Sequence, residues 1–198
     1  RYKFPYFYTI DQFEKLLDRY KPISFNEKSL EKYIYTFDDG LVDHLYVAKL
    51  LLKLRKRAIF FVPSEPVLER KMIDSHKIQF VLAAKDESII MDQLLKIIKK
   101  EFNIKESYLN KFKNSKWKNN IWSKEMIFVT RVLREFKTYS DRTTLLDNLF
   151  RKFVSSDEKD FANSFYLNND QVKEISEMDH IIGGHGHKSN DFRYCDNY

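Results

Sequence analysis

Between Tyr33 and Val62 the chain places an apolar run, an amphipathic stretch and a second apolar run, and this order restricts the fold more than any other feature. Tyr33 to Phe37 is short, aromatic and β-branched, which reads as a buried strand. Leu41 to Arg57 carries Leu41, Leu45, Ala48 and Leu52 at helical spacing on one face. Its last turn holds Lys53, Arg55, Lys56 and Arg57, which complement the helix dipole. Ala58-Ile59-Phe60-Phe61-Val62 reads as another buried strand, ended by Pro63. Strand, helix and strand in this order form a βαβ unit, whose strands run parallel. An α/β fold on a parallel sheet or barrel is therefore expected.

The next hundred residues follow a different rule. Ser88 to Lys100 is amphipathic, with Ile90, Leu94, Ile97 and Ile98 on the inward face. Ser123 to Phe136, Asp141 to Val154 and Asn169 to Met178 also read as helices, with Lys- and Asn-rich connectors such as Lys111 to Asn120. His180-Ile181-Ile182-Gly183-Gly184 returns to strand character. Near the start, Tyr8 to Tyr20 reads as a helix capped by Thr9 and stopped by Pro22. The expected organisation is one domain over 1–198, a β/α body with a helical insertion from about 64 to 168. A length of 198 residues suits a single domain with a sizeable core. Only four Pro and four Gly fit long regular elements.

All four glycines fall in two clusters, Thr36-Phe37-Asp38-Asp39-Gly40 and Ile182-Gly183-Gly184-His185-Gly186-His187. Both are rich in Asp or His, which suggests tight turns that present polar side chains. Asp38 and Asp39 are adjacent carboxylates at the end of a strand, and like charges raise one another's pKa. A divalent cation resolves that conflict by binding one carboxylate and leaving the other as a base. The alternative is that Asp38 caps a turn and Asp39 caps the following helix. His44 reads as a helix-surface residue or as a group that holds a carboxylate in place. His76 opens an apolar stretch, and His180 has a structural reading.

Thr36-Phe37-Asp38-Asp39-Gly40 after an apolar run resembles the opening motif of the NodB-type polysaccharide deacetylases, carbohydrate esterase family 4. Ile182-Gly183-Gly184-His185 resembles that family's histidine motif, and Phe60-Phe61 its second strand. The resemblance spans roughly Tyr8 to Val62 and Asn168 to Asn190. It implies a partial NodB-type (β/α) barrel with a large helical insertion, incomplete at the C-terminus because the family's later motifs have no counterpart before Tyr198. It implies that Asp38 is the catalytic base and that Asp39 and His185 are metal ligands, with zinc as the expected divalent cation. The family's second histidine, four residues on, is replaced here by Ser189. His187 is the favoured third ligand, Asp191 is the alternative, and weak or absent metal binding is the remaining reading.

The implied activity is hydrolysis of a carbon–nitrogen, non-peptide bond or of an ester, by a deacetylase acting on an N- or O-acetylated sugar. The competing reading is a non-catalytic relative that binds through the same fold. The expected partner is a carbohydrate, which Trp117, Trp122 and nearby lysines could hold. Net charge is +6, and the excess sits between Lys85 and Ser140, where a solvated helical face is the favoured reading and a polyanion-binding patch the alternative. No helix-turn-helix, zinc-finger or RNP-like pattern supports nucleic-acid binding. No apolar run reaches the roughly 20 residues of a membrane span. The lone Cys195 excludes an internal disulfide and, with no signal-peptide pattern, favours the cytoplasm; a chain beginning before Arg1 leaves an extracytoplasmic location open.

Overall fold

The computed structural model describes residues 9–20, 34–102, 104–113 and 122–187. Ser189, Asp191, Cys195 and Trp117 lie outside the described residues. The chain divides into two units, one of Ile73–Asp157 and one that joins Pro5–Met72 to Glu158–Ser189. Described residues form α-helices and one small parallel sheet, so the fold class is α/β. No described helix is long and apolar enough to cross a membrane.

The sheet unit is built on β1 (Tyr35–Phe37), β2 (Ala58–Val62) and β3 (Ile181–Gly184), with β2 in the middle. Both pairings are parallel, with Phe37 opposite Phe60 and Phe60 opposite Ile182. That register puts Tyr35, Phe37, Ala58, Phe60 and Ile182 on one face, where they meet a core of Leu17, Ala48, Leu51, Leu167 and Ile175. Phe37 and Phe60 stack with centroids 4.9 Å apart. Phe60 is fully buried, and such a side chain stabilises the fold by about 1.5–3 kcal/mol.

The core residues outside the sheet come from α1 (Ile10–Arg19), α2 (Asp43–Lys53), α10 (Asn169–Glu177) and the segment before α10. Thr9 and Gln12 form a capping box on α1, and Asn168 and Gln171 form another on α10. Two short helices, α3 (Ser64–Glu69) and α9 (Glu158–Phe165), complete the unit. His180 acts as a structural stitch just before β3. Its Nδ1 accepts the Ala58 N–H at 3.3 Å, so Nε2 carries the hydrogen and donates to the Ala48 carbonyl at 3.0 Å.

The α2 face differs from the expected one. The helix begins at Asp43, two residues after Leu41, and its buried line is His44, Ala48 and Leu51. Leu52 points outward, 48% exposed. His44 is thus a core residue, in contact with the rings of Phe37 and Phe60. Imidazole is polar, so hydrophobic spacing alone puts His44 on the helix surface.

The helical unit contains α4 (Asp74–Ala84), α5 (Glu87–Ile97) with a π-helical turn at Ile98–Phe102, α6 (Glu106–Lys113), α7 (Lys124–Glu135) and α8 (Tyr139–Phe153). Among the described residues it holds no strand. Ser123 and Thr138 cap α7 and α8 through their hydroxyls. Ile90, Leu94, Ile97 and Ile98 are buried as their spacing predicts, beside Val129, Leu133, Leu145 and Leu149. Two ion pairs fasten α4 to α8, Lys77 with Asp147 at 2.5 Å and Arg142 with Asp74 at 2.8 Å.

Candidate functional site

Parallel strands deliver their carboxyl ends to the same edge of the sheet, which is where β/α folds gather ligands. Here that edge holds the Asp-Asp-Gly turn after β1 and the Gly-Gly-His turn that closes β3. Asp38 is exposed and follows β1 directly. Asp39 takes φ 72° and Gly40 φ 62°, both in the left-handed region. Asp tolerates that region better than most residues, and its cost for an ordinary side chain is about 1–2 kcal/mol. Gly40 has a second reason to be glycine. A Cβ there would lie 3.1 Å from Val62 Cγ1, so the turn packs directly on the end of β2.

The second turn is fixed by backbone hydrogen bonds. His185 N–H donates to the Val62 carbonyl at 3.0 Å, one residue beyond the paired part of β3. Ser64 and Glu65 N–H then donate to the Gly186 and His187 carbonyls, each at 3.0 Å. Gly183 lets β3 approach β2 closely, because a Cβ there would sit 2.5 Å from the Phe61 ring. The result brings Asp39 and His185 together although they lie far apart in sequence. Asp39 Oδ1 and His185 Nε2 are 3.4 Å apart, with both side chains about one-third exposed.

That separation decides what the pair can hold. Two donors bound to one tetrahedral ion at about 2.0–2.1 Å lie about 3.3–3.4 Å apart. Asp39 Oδ1 and His185 Nε2 are spaced within about this range, which is also the range of a carboxylate–imidazole ion pair.

His187 does not join them. Among the described residues, the metal-type group that includes it is Glu65, Glu69 and His187, with donor atoms all within 4.8 Å of one another. His187 Nε2 is 3.3 Å from Glu69 Oε1, and its Nδ1 is 3.0 Å from Ser64 Oγ. The signal for the two glutamates was present in Ser64-Glu65-Pro66-Val67-Leu68-Glu69. Their i, i+4 spacing faces both to one side of a helix, and proline is tolerated in the first turn.

His44 lies behind the site. Burial lowers its pKa to about 4, with the Asp39 charge acting in the opposite direction. Its Nδ1 is buried and has no hydrogen-bond partner among the described residues. At neutral pH the ring is therefore uncharged. The helical unit contributes a separate cavity of about 730 Å³ between α5, α6 and α7, lined by Leu95, Ile98, Leu109 and Phe128 with Lys99 and Lys124. Its ionisable lining is Lys99, Lys113, Lys124 and Glu125, with no His.

Comparison with models of protein families, with curated proteins and with solved structures gives no match to the chain.

Proposed function

We propose that the chain is a metal-dependent hydrolase of the polysaccharide-deacetylase type, acting on an N- or O-acetylated sugar, with its small sheet as part of a NodB-type barrel. The observation that supports this most is the 3.4 Å approach of Asp39 and His185 at the ends of two strands in one parallel sheet. In this reading Asp39 and His185 hold the ion. When bound, a divalent cation supplies a Lewis acid for the acetyl carbonyl and lowers the pKa of water. Asp38, exposed beside Asp39, accepts the proton of the water whose oxygen bonds to the carbonyl carbon. Acetate leaves as the bond to sugar nitrogen or oxygen breaks, and the sugar atom takes up a proton. The lone Cys195 agrees with a cytoplasmic setting.

A second reading has an observation of its own. His187 turns to Ser64 and Glu69, and Ser189 stands where the family has histidine, so among the described residues Asp39 and His185 are a two-donor set. This favours a non-catalytic relative that binds acetylated sugar without cleaving it.

Zinc titration and acetate release, measured on the full chain, separate the readings. The hydrolase predicts zinc-dependent acetate release from an N-acetylhexosamine oligomer or its O-acetylated counterpart. Asp38→Asn should then slow release by about 10²–10⁴-fold, and Asp39→Asn should abolish the zinc dependence. Zinc binding that needs Asp39 and His185 but yields no acetate supports the binding protein. Zinc affinity indifferent to Asp39→Asn and His185→Ala overturns the metal site in both.

A further inference from the structure

Glu65, Glu69 and His187 form a donor set that the Asp39–His185 pair does not use. We propose that they are a second divalent-cation site, taking a zinc-type ion through one oxygen of each glutamate and Nε2 of His187. The donors come from two segments that the backbone clamps together. Glu65 and Glu69 stand one turn apart on α3, and the Ser64 and Glu65 N–H groups hold the Gly186–His187 segment after β3 against that helix. All three donor atoms lie within 4.8 Å of one another, and Nε2 of His187 is 3.3 Å from Glu69 Oε1. The latter distance is again about the edge of a tetrahedral zinc site.

The outer nitrogen of the imidazole is positioned as a metal-ligating histidine requires. Nδ1 of His187 faces Ser64 Oγ at 3.0 Å. In the tautomer that donates Nδ1–H to this hydroxyl, the Nε2 lone pair is directed at the carboxylates, and metal-bound histidines are oriented by such partners. The chain also places a cation of its own at this point. Lys71 Nζ lies 2.8 Å from Glu69 Oε2 and 3.8 Å from Glu65 Oε1, so an ammonium shares the charge of these carboxylates with any ion they take. Its hydrogen bond to Glu69 raises the pKa of the lysine, against a weaker effect of burial.

The donor chemistry selects the ion. Calcium and magnesium take oxygen ligands almost exclusively, whereas one imidazole with two carboxylates suits zinc and its neighbours. Three protein donors leave a fourth position for water or for an external ligand. Glu69 is shared between Lys71 and the proposed ion, so the ammonium competes with the metal.

Calorimetric zinc titration of the full chain tests this, with circular dichroism confirming that each variant is folded. His187→Ala and Glu69→Gln should each weaken one binding event by about tenfold or more, of the order seen when a metal site loses a supporting contact. Asp39→Asn should leave that event unchanged. Lys71→Met should strengthen it by removing the competing ammonium. The proposal is overturned if no zinc event responds to His187→Ala, or if Asp39→Asn abolishes the same event, which would mean one shared ion. Should His187→Ala fail to fold, unchanged zinc affinity in Lys71→Met overturns it instead. The deacetylase reading fails on Asp39 and His185, and this site on His187 and Glu69, so the two outcomes are distinct.

Discussion

In the helical unit, buried charges come as closed pairs. Arg142 meets Asp74 and Lys77 meets Asp147, with the Arg142 and Lys77 side chains only 8% and 5% exposed. In the sheet unit, Asp38, Asp39, His185 and His187 gather at the carboxyl ends of strands, where solvent reaches them. Similar residue types therefore do different work. A charge taken out of water needs an opposite charge close by, and that pairing joins α4 to α8 whatever else is bound. A charge left at the surface keeps capacity for a ligand. Even the matched pairs show the strain of burial. Desolvation raises the pKa of Asp74, outweighing the pull of Arg142 and then Lys77 in the other direction.

The sharpest way to break the comparison is to remove one partner of a buried pair. Asp74→Ala leaves the Arg142 guanidinium without its carboxylate, and such a change costs about 3–5 kcal/mol. Urea unfolding should show that loss, and replacing both residues by apolar ones, Asp74→Leu with Arg142→Met, should recover most of it. A loss no greater than for an exposed carboxylate would end the claim that these pairs hold the unit together.

The next effect belongs to the sheet unit and depends on pH. Above pH 6.5 His44 is neutral in both folded and unfolded chains. Between 6.5 and about 4 the unfolded chain takes a proton that the folded core refuses, so stability falls as pH drops. The total is about 3 kcal/mol from the size of the shift. Denaturant midpoints followed from pH 7 to pH 4 should show this slope, and His44→Phe should remove most of it. An unchanged slope in that variant would place the acid sensitivity elsewhere.

The smallest effect separates two adjacent glycines. Gly183→Ala drives a methyl into the Phe61 ring and should cost about 1–3 kcal/mol, as overpacking does. At Gly184 a Cβ meets nothing within 4 Å, so Gly184→Ala should stay within about 0.5 kcal/mol. Thermal melts of the two variants test whether the close β2–β3 approach supports the His185 turn. Equal melting temperatures would show that it does not.

Much of this was legible in residue order. Aromatic and β-branched runs announced the three strands, and glycines beside Asp and His marked both turns. That Asp39 and His185 meet follows from parallel strands sharing one edge. Other parts depended on contacts that no local pattern carries. His44 looks polar in sequence, yet it lies inside because α2 starts two residues late and turns that face inward. Glu65 and Glu69 show an i, i+4 spacing in sequence, but on a helix of six residues that spacing does not tell that His187 lies opposite them. Nearness in sequence places His187 beside His185. Gly186 between them takes φ 77°, in the left-handed region, so the chain turns and His187 meets Ser64 and Glu69 instead.

The strands that flank β2 reach it by unequal routes, β1 through a connection of about 20 residues and β3 after about 120. Loop-closure entropy rises only with the logarithm of length, by about 0.6 kcal/mol per doubling. Even as a flexible tether, the longer connection would add only about 1.5 kcal/mol over the shorter. The spacing of Asp39 and His185 is set by strand register and not by what the chain does in between. A lineage could thus enlarge, trim or exchange the helices of that excursion at small thermodynamic cost while the chemistry at the sheet edge stays in register. The long connection is, in evolutionary terms, a free variable attached to a fixed one.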